Sequence, residues 1–348
     1  MAYVKGLVPG TYPPLSTFTG MNAVLHTALS FVLREFDVFL AFSWRDWSTT
    51  IIPSFIFSIG AARSSVLPPR VLCYRYLLLL PWSILFVYSF NLSNQIAGVL
   101  EDQINKPDRP IPSGKVTLKG AKLRRIVVVS AYLALSLYFP SILPETIGWI
   151  LTTAFLNLTP AGHHWFGKNC IGMVTGVWAQ FNSGWKIISP MTDQSTRFVW
   201  AFAFWFGLAA HIQDLRDIEG DTAIGRQTLP IVVGDMRARL LITLIAIPLQ
   251  ALALKLGRIG HPGPASILLA LAFAHVIIGW RVMQAGKGSA YDHRTYMACD
   301  TIDHDLLAMV NSELPRYSPT HSASLLPVRL LDRLYDRGRK IVWRKSQG

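Results

Sequence analysis

The chain has 348 residues, of which 51% are hydrophobic and 15% charged, with a mean hydropathy of +0.35; an average soluble domain carries about 25% charged residues. Too little charge is present to coat a soluble domain of this length, and a disordered chain or a disulfide-stapled mini-protein is excluded, so lipid is the expected solvent. The formal net charge of +13 then points to basic loops at a cytoplasmic membrane face and not to nucleic acid, which is not an expected partner.

The N-terminal stretch lacks the basic–apolar–small pattern of a cleaved signal, and Gly10–Gly20 is rich in Pro and Thr. Residues 1–45 form an expected N-terminal segment. Within it, 21–42 is apolar but carries Arg34, Glu35 and Asp37, which predicts an interfacial amphipathic helix. A spanning helix needs about 20 mostly apolar residues. Candidates follow at 46–62, 71–99, 124–140, 145–160, 171–189, 197–216, 237–256 and 265–283. The run 145–160 is short and leads into Pro160 and Gly162. The run 171–189 holds Gln180, Asn182 and Lys186, so it is expected to face a polar cavity. The expected architecture is an all-α, multi-pass transmembrane bundle of about eight or nine helices around a central cavity, over residues 46–298. Residues 299–348 contain no run long enough to span and read as a polar, basic tail suited to anionic lipid. Cys73, Cys170 and Cys299 form no CxxC pair, and an odd count gives no disulfide framework.

Positive charge separates the loops. Loop 100–125 carries Lys106, Arg109, Lys115, Lys119, Lys122, Arg124 and Arg125. With 157–171 and 214–239 this side holds twelve basic residues against seven on the other, which places the first set in the cytoplasm. The expected location is the endoplasmic reticulum.

Two apolar runs end in carboxylates on that same side. In NQIAGVLEDQINKPDRPIPSG, residues 94–114, Asn94, Glu101 and Asp102 fall on one helical face at about 3.6 residues per turn. In HIQDLRDIEGDTAIGRQTLP, residues 211–230, Asp214, Asp217 and Asp221 form a second stripe. Charges near membrane depth are costly and should face a polar cavity. Facing stripes of hard oxygen ligands suit Mg²⁺, which completes its shell with phosphate oxygens. Lys106, Arg109, Lys115, Lys168 and Arg226 are placed to neutralise the remaining oxygens of a diphosphate. A metal-bridged diphosphate with an apolar tail among Trp, Phe and Leu describes an isoprenyl diphosphate.

Bland readings stand beside these. The acids can simply solvate helix ends and pair with neighbouring Arg. His211, one turn before Asp214, is either a partner of that site or a core histidine; His163 and His164 lack metal-site spacing and read as loop residues. Phe86, Phe90, Trp178, Phe181, Trp185, Phe202, Trp205 and Phe206 can shield a carbocation with their π faces, but ordinary packing explains most such rings.

DLRDIEGD at 214–221, followed by Gly225, Arg226 and TLPIVVG at 228–234, resembles the second Asp-rich motif and following loop of the UbiA superfamily of intramembrane prenyltransferases. RPIPSG at 109–114 resembles the sequence after that family's first motif, and the resemblance covers roughly residues 30–298. The first motif departs from the family pattern: Asn94 and Asp102 fill two of its places, but Gln95 and Gly98 stand where the other acids fall, and Glu101 is an added acid. This form is similar to a branch of fungal UbiA-type proteins that includes membrane terpene cyclases. A segment resembling YDHRTYM, at 291–297, precedes a ninth hydrophobic helix in relatives; here it is followed by the more polar CDTIDHDLLAMV.

The resemblance implies a Mg²⁺-dependent terpene cyclase that ionises a C15 or C20 prenyl diphosphate, farnesyl or geranylgeranyl. Asn94, Glu101, Asp102, Asp214, Asp217 and Asp221 would hold the metal, and Lys106, Arg109, Lys168 and Arg226 the phosphate oxygens. One alternative is a prenyltransferase that passes the same cation to an aromatic acceptor. Another is an ion-coupled transporter, whose acids would coordinate ions.

Overall fold

The computed structural model describes residues 15–249 and 265–299. The expectations for the tail beyond 299, and for the end of the 237–256 span, lie outside the described residues. Among the described residues the chain is helical with no strand; one isolated bridge joins His164 to Gln227.

Helix α1 (Leu15–Ser43) comes first. Val38, Phe39 and Phe42 on its C-terminal half are buried against Tyr88, Leu92, Ala121 and Val128, while Leu29, Leu33 and Phe36 face outward. The charges that mark this segment in the sequence are tethers: Glu35 accepts from Arg124 at 2.5 and 2.8 Å, and Asp37 from Lys115 at 2.9 Å. A 3₁₀ turn (Trp44–Asp46) leads to α2 (Ile51–Arg63). Helix α3 (Pro69–Ala97) starts with proline at its first position, where a missing N–H costs nothing. It stops at Gly98, beyond which α4 (Val99–Asn105) begins.

Thr117 caps α5 (Leu118–Tyr138) by accepting from the Gly120 N–H. Next come α6 (Leu143–Leu158) and the short α7 (Pro160–His163). A π-helical stretch (Phe166–Met173) runs into α8 (Val174–Ile188). Thr192 and Ser195 form a reciprocal capping box at the start of α9 (Asp193–Asp214). The remaining segments are α10 (Ile218–Ala223), α11 (Leu229–Val233), α12 (Asp235–Leu241), α13 (Ala265–Val282) and α14 (289–299).

Among the described residues fourteen α-helical segments, besides the 3₁₀ and π-helical stretches, stand where eight or nine helices are expected, because several expected spans are interrupted by glycine, by proline or by a change of helical pitch. Among the described residues, α3 alone is both long and apolar enough to cross a membrane by itself; α5 and the segment Pro140–Leu158 meet that test only as one span bent by 120°. Helices α2, α8 and α9, at three more of the expected spans, fall short of it in length or apolarity.

The main core joins α2, α3, α6, α8 and α9 through Phe57, Leu79, Trp82, Trp149, Phe181, Phe202 and Trp205. Phe57 stacks on Phe181 with ring centroids 4.6 Å apart. Where α9 crosses the π-helical stretch, Gly207 lets the backbones meet: a Cβ there would lie 2.3 Å from Val174 Cγ2 and 3.2 Å from the Asn169 carbonyl. This crossing positions Lys168 and Asp214. A Gly207→Val variant is expected to lose about 1–3 kcal/mol of stability through overpacking, read as a lowered unfolding midpoint of the detergent-solubilised protein.

Candidate active site

The chain ends of α3 and α9 and the short helices α4 and α10 converge on one cavity of 1150 Å³. Asn94, Glu101, Lys106, Arg109, Lys168, Asp217 and Arg226 line its polar part, and Phe86, Phe90, Trp149, Val177 and Phe206 its apolar part.

Neither acidic group occupies one continuous helical face. Gly98, at φ −97° and ψ 29°, breaks the helix, so Asn94 closes α3 while Glu101 and Asp102 open α4. Asp214 ends α9, Asp217 caps α10 and Asp221 lies within it. The acids converge through the meeting of segments and not through helical periodicity. Asp102, Asp214 and Asp221 are each at most 1% exposed and sit behind the cavity wall, whereas Glu101 and Asp217 reach its surface.

Every one of these acids has a cationic partner. Arg109 Nη1 donates to Asp102 Oδ1 at 2.7 Å, and Lys168 Nζ lies 2.6 Å from Asp214 Oδ1. Arg226 Nη1 spans Glu101 Oε2 at 2.8 Å and Asp221 Oδ1 at 3.3 Å, linking the two acidic segments. Asp217 is held from both sides, by Lys106 at 3.3 Å and Arg216 at 3.1 Å. Burial by itself would push the Asp217 carboxyl up, but Lys106 and Arg216 outweigh it and hold it below the ordinary carboxylate value. For Glu101 and Asp102 burial prevails over Arg226 and Arg109, and both carboxyls are pushed up.

Those two acids thus retain a burial cost that a further cation would offset. Asp102 Oδ2 and Asp221 Oδ2 are also buried without a hydrogen-bond partner, as is Arg226 Nε. Among the described residues no group of three or more His, Cys, Asp or Glu is gathered tightly enough to hold a metal ion. The donor set fits a hard cation that brings its own oxygen ligands, which is how Mg²⁺ arrives on a diphosphate.

Other residues named from the sequence fall elsewhere. Lys115 pairs with Asp37 of α1 and is not among the cavity's lining residues. His211 reaches Asp214 only through Asn169, whose amide nitrogen donates to Asp214 Oδ2 at 2.7 Å and lies 2.9 Å from His211 Nδ1. The His163 carbonyl accepts from the Gln227 N–H at 3.0 Å and the Trp165 N–H donates to the Gln227 carbonyl at 2.8 Å, pairing His164 with Gln227 beside Arg226. Of the eight aromatics proposed as cation shields, Phe86, Phe90 and Phe206 line the cavity; Trp178, Phe181, Trp185, Phe202 and Trp205 do not. Trp178 stacks on Trp200, and the other four belong to the buried core.

Sequence reasoning missed Trp149, which stacks on Phe86 at 4.7 Å and on Phe90 at 5.1 Å. Nothing in its own run sets it apart. It also missed Asn105, Asn169 and Arg216. Arg216 ties the site to α14, donating to His293 Nδ1 at 2.7 Å and lying over the Tyr296 ring at 5.2 Å. Arg239 binds both Asp292 oxygens of the same helix, at 2.8 and 2.7 Å. The segment YDHRTYM is thus docked on the cavity. The turn after α1 reaches the same rim, where Arg45 pairs with Asp108.

The family model for UbiA prenyltransferases matches residues 50–297. This chain belongs to the UbiA prenyltransferase family. Members are integral membrane proteins, and the chain is an enzyme of that family, which displaces the transporter alternative. It is 54% identical to the diterpene cyclase eriG of Hericium erinaceus over 266 residues, covering 76% of this chain and 85% of eriG. It is 52% identical to the polyprenyl transferase eriF of the same fungus, covering 76% and 91%. The fold resembles that of a UbiA homologue from Archaeoglobus fulgidus bound to GPP and Mg²⁺, with a TM-score of 0.57 at 13% identity over 79% of this chain and 99% of that one.

The buried pairs at the site yield a stability test. Arg109→Ala leaves Asp102 buried without its cation and is expected to destabilise this UbiA enzyme by about 3–5 kcal/mol. Adding Asp102→Asn should recover part of that loss, measured by unfolding of the two purified variants.

Proposed function

We propose that this enzyme is a Mg²⁺-dependent membrane terpene cyclase that ionises a C15 or C20 prenyl diphosphate and closes the resulting cation on itself. The observation that carries the reading is one cavity with two chemistries: paired acids and cations at one part, stacked aromatic rings at the other. The likeness to a relative named as a diterpene cyclase favours the C20 substrate, geranylgeranyl diphosphate.

Asn94, Glu101, Asp102, Asp214, Asp217 and Asp221 are the residues proposed to hold the metal, with Lys106, Arg109, Lys168 and Arg226 directed to the diphosphate. Bound Mg²⁺ would neutralise charge on the departing diphosphate. The chain's own residues do the rest. The acids hold four cationic groups in place before substrate arrives, so that their charge is preorganised around the leaving oxygens. Asp214, with one oxygen on Lys168 and the other on Asn169, orients Lys168 in the resting site. The allylic C–O bond breaks with its electron pair on the diphosphate. An internal double bond then attacks the cation, and proton loss ends the sequence. Phe86, Trp149 and Phe90 offer π faces along this part of the cavity, and the surrounding apolar residues exclude the water that would quench the cation.

The proposed setting is a multi-pass integral membrane protein of the endoplasmic reticulum, with the motif loops toward the cytoplasm. The basic residues clustered in 100–125 and 214–239 support that orientation. The alternative, transfer of the prenyl group to an aromatic acceptor, is favoured by the likeness to a polyprenyl transferase.

Membranes containing the protein, supplied with Mg²⁺ and one prenyl diphosphate at a time, decide between them. Hydrocarbon or alcohol products from geranylgeranyl diphosphate alone are expected, lost on chelation of the metal. Asp102→Ala and Asp214→Ala should each lower product by roughly a hundredfold or more. Product that forms only when an aromatic acid is added overturns cyclisation in favour of transfer.

A further inference from the structure

The two acidic segments are far apart in sequence, and something must set the distance between them. Arg226 bridges them through side chains, but a long side chain tolerates a range of spacings. Asn105, the last residue of α4, does so through backbone. Its Nδ2 donates to the Asp217 carbonyl at 3.2 Å, and its Oδ1 accepts from the Gly220 N–H at 3.1 Å. A short amide side chain with both ends engaged fixes position and orientation together.

The opposite partner is shaped to receive it. A Cβ on Gly220 would meet Asn105 Nδ2 at 2.2 Å, Cγ at 2.5 Å and Oδ1 at 2.7 Å. All three of its nearest neighbours are therefore atoms of that one side chain. Gly220 sits between Asp217 and Asp221, so the seat of Asn105 lies inside the second acidic group. On the other side, Asn105 precedes Lys106, which pairs with Asp217, and follows Glu101 by four residues, one helical turn.

We propose that Asn105 is a positioning residue that clamps the acidic segment of α10 against that of α4 and thereby sets the affinity of the site for a metal–diphosphate. It touches neither reacting atom; it acts by holding Asp217 and Asp221 at a fixed separation from Glu101 and Asp102. The inference rests on the diphosphate reading above for its ligand, and on hydrogen bonds alone for its geometry.

The test uses full-length protein in detergent with two readouts: the rise in unfolding temperature on adding Mg²⁺ plus inorganic pyrophosphate, and the Mg²⁺ concentration that gives half-maximal turnover of geranylgeranyl diphosphate. Asn105→Ala is expected to remove most of the ligand-induced rise and to increase the half-maximal Mg²⁺ about tenfold, with a smaller fall in kcat. Asn105→Asp keeps the acceptor for Gly220 but sets a carboxylate oxygen against the Asp217 carbonyl, so it too should lose most of the ligand-induced rise; it also serves if the alanine variant does not fold. Gly220→Ala should reproduce the Asn105→Ala phenotype in the wild-type background but add little to it, because the clashing atoms are gone. Variants that lose unfolding temperature equally with and without ligand, at unchanged Mg²⁺ dependence, overturn the clamp and leave a structural role. A wild-type protein that Mg²⁺ and pyrophosphate do not stabilise overturns the diphosphate reading itself, and the clamp's role with it.

Discussion

Five buried carboxylates and five cationic side chains share the head of this cavity, and their mutual neutralisation is the constraint on which the rest of the structure depends. Moving an ion out of water costs several kcal/mol even after relaxation, and a paired neighbour returns that cost only with good geometry. Here the geometry comes from four chain segments: α4 and the loop after it, the π-helical stretch before α8, the end of α9, and α10 with its following loop. Even α4 and its loop, with two of these acids and two of these cations, pair only Asp102 with Arg109 internally; Glu101 goes to Arg226 and Lys106 to Asp217. The carboxylates of α10 need the cations of the 106–109 loop and of Arg226, and Asp214 needs Lys168. The site and the packing of these segments therefore form together.

The neutralisation is incomplete in a way that has chemical meaning. Asp102 and Asp221 each keep one buried oxygen without a partner, while both oxygens of Asp214 are engaged. A structure optimised for stability would replace such groups with apolar side chains of similar volume. The proposed metal-carrying diphosphate would account for their retention beside an aromatic pocket. All three acids anchor a cation, and they differ only in whether the second oxygen is also engaged, a difference that residue type alone does not express.

Much of this was legible from residues taken in order. The apolar runs and the acids at run ends follow from composition and local pattern, and they pointed to an all-helical protein whose acids and cations gather at one cavity. The second motif, DLRDIEGD, was read on its residues and lies at the cavity. Helical periodicity failed where it was extended across Gly98 and across the turn after Asp214, because a glycine and a helix end reset the phase on which any face argument depends. The aromatics were less readable still: a ring that lines the cavity and a ring that fills the core look alike in sequence, and Trp149 was missed while Trp205 was named.

What residue order determined by itself is therefore the solvent of the chain, its helical character and the kind of chemistry its acids and cations suit. These depend on local composition and on neighbours a few positions apart. Which acid meets which cation, which oxygens stay open, and that Asn105 seats against Gly220 across 115 residues were decided by tertiary structure alone. Pairing energies inside a low-dielectric cavity depend on ångström separations between segments remote in sequence, and no pattern within either segment encodes that distance.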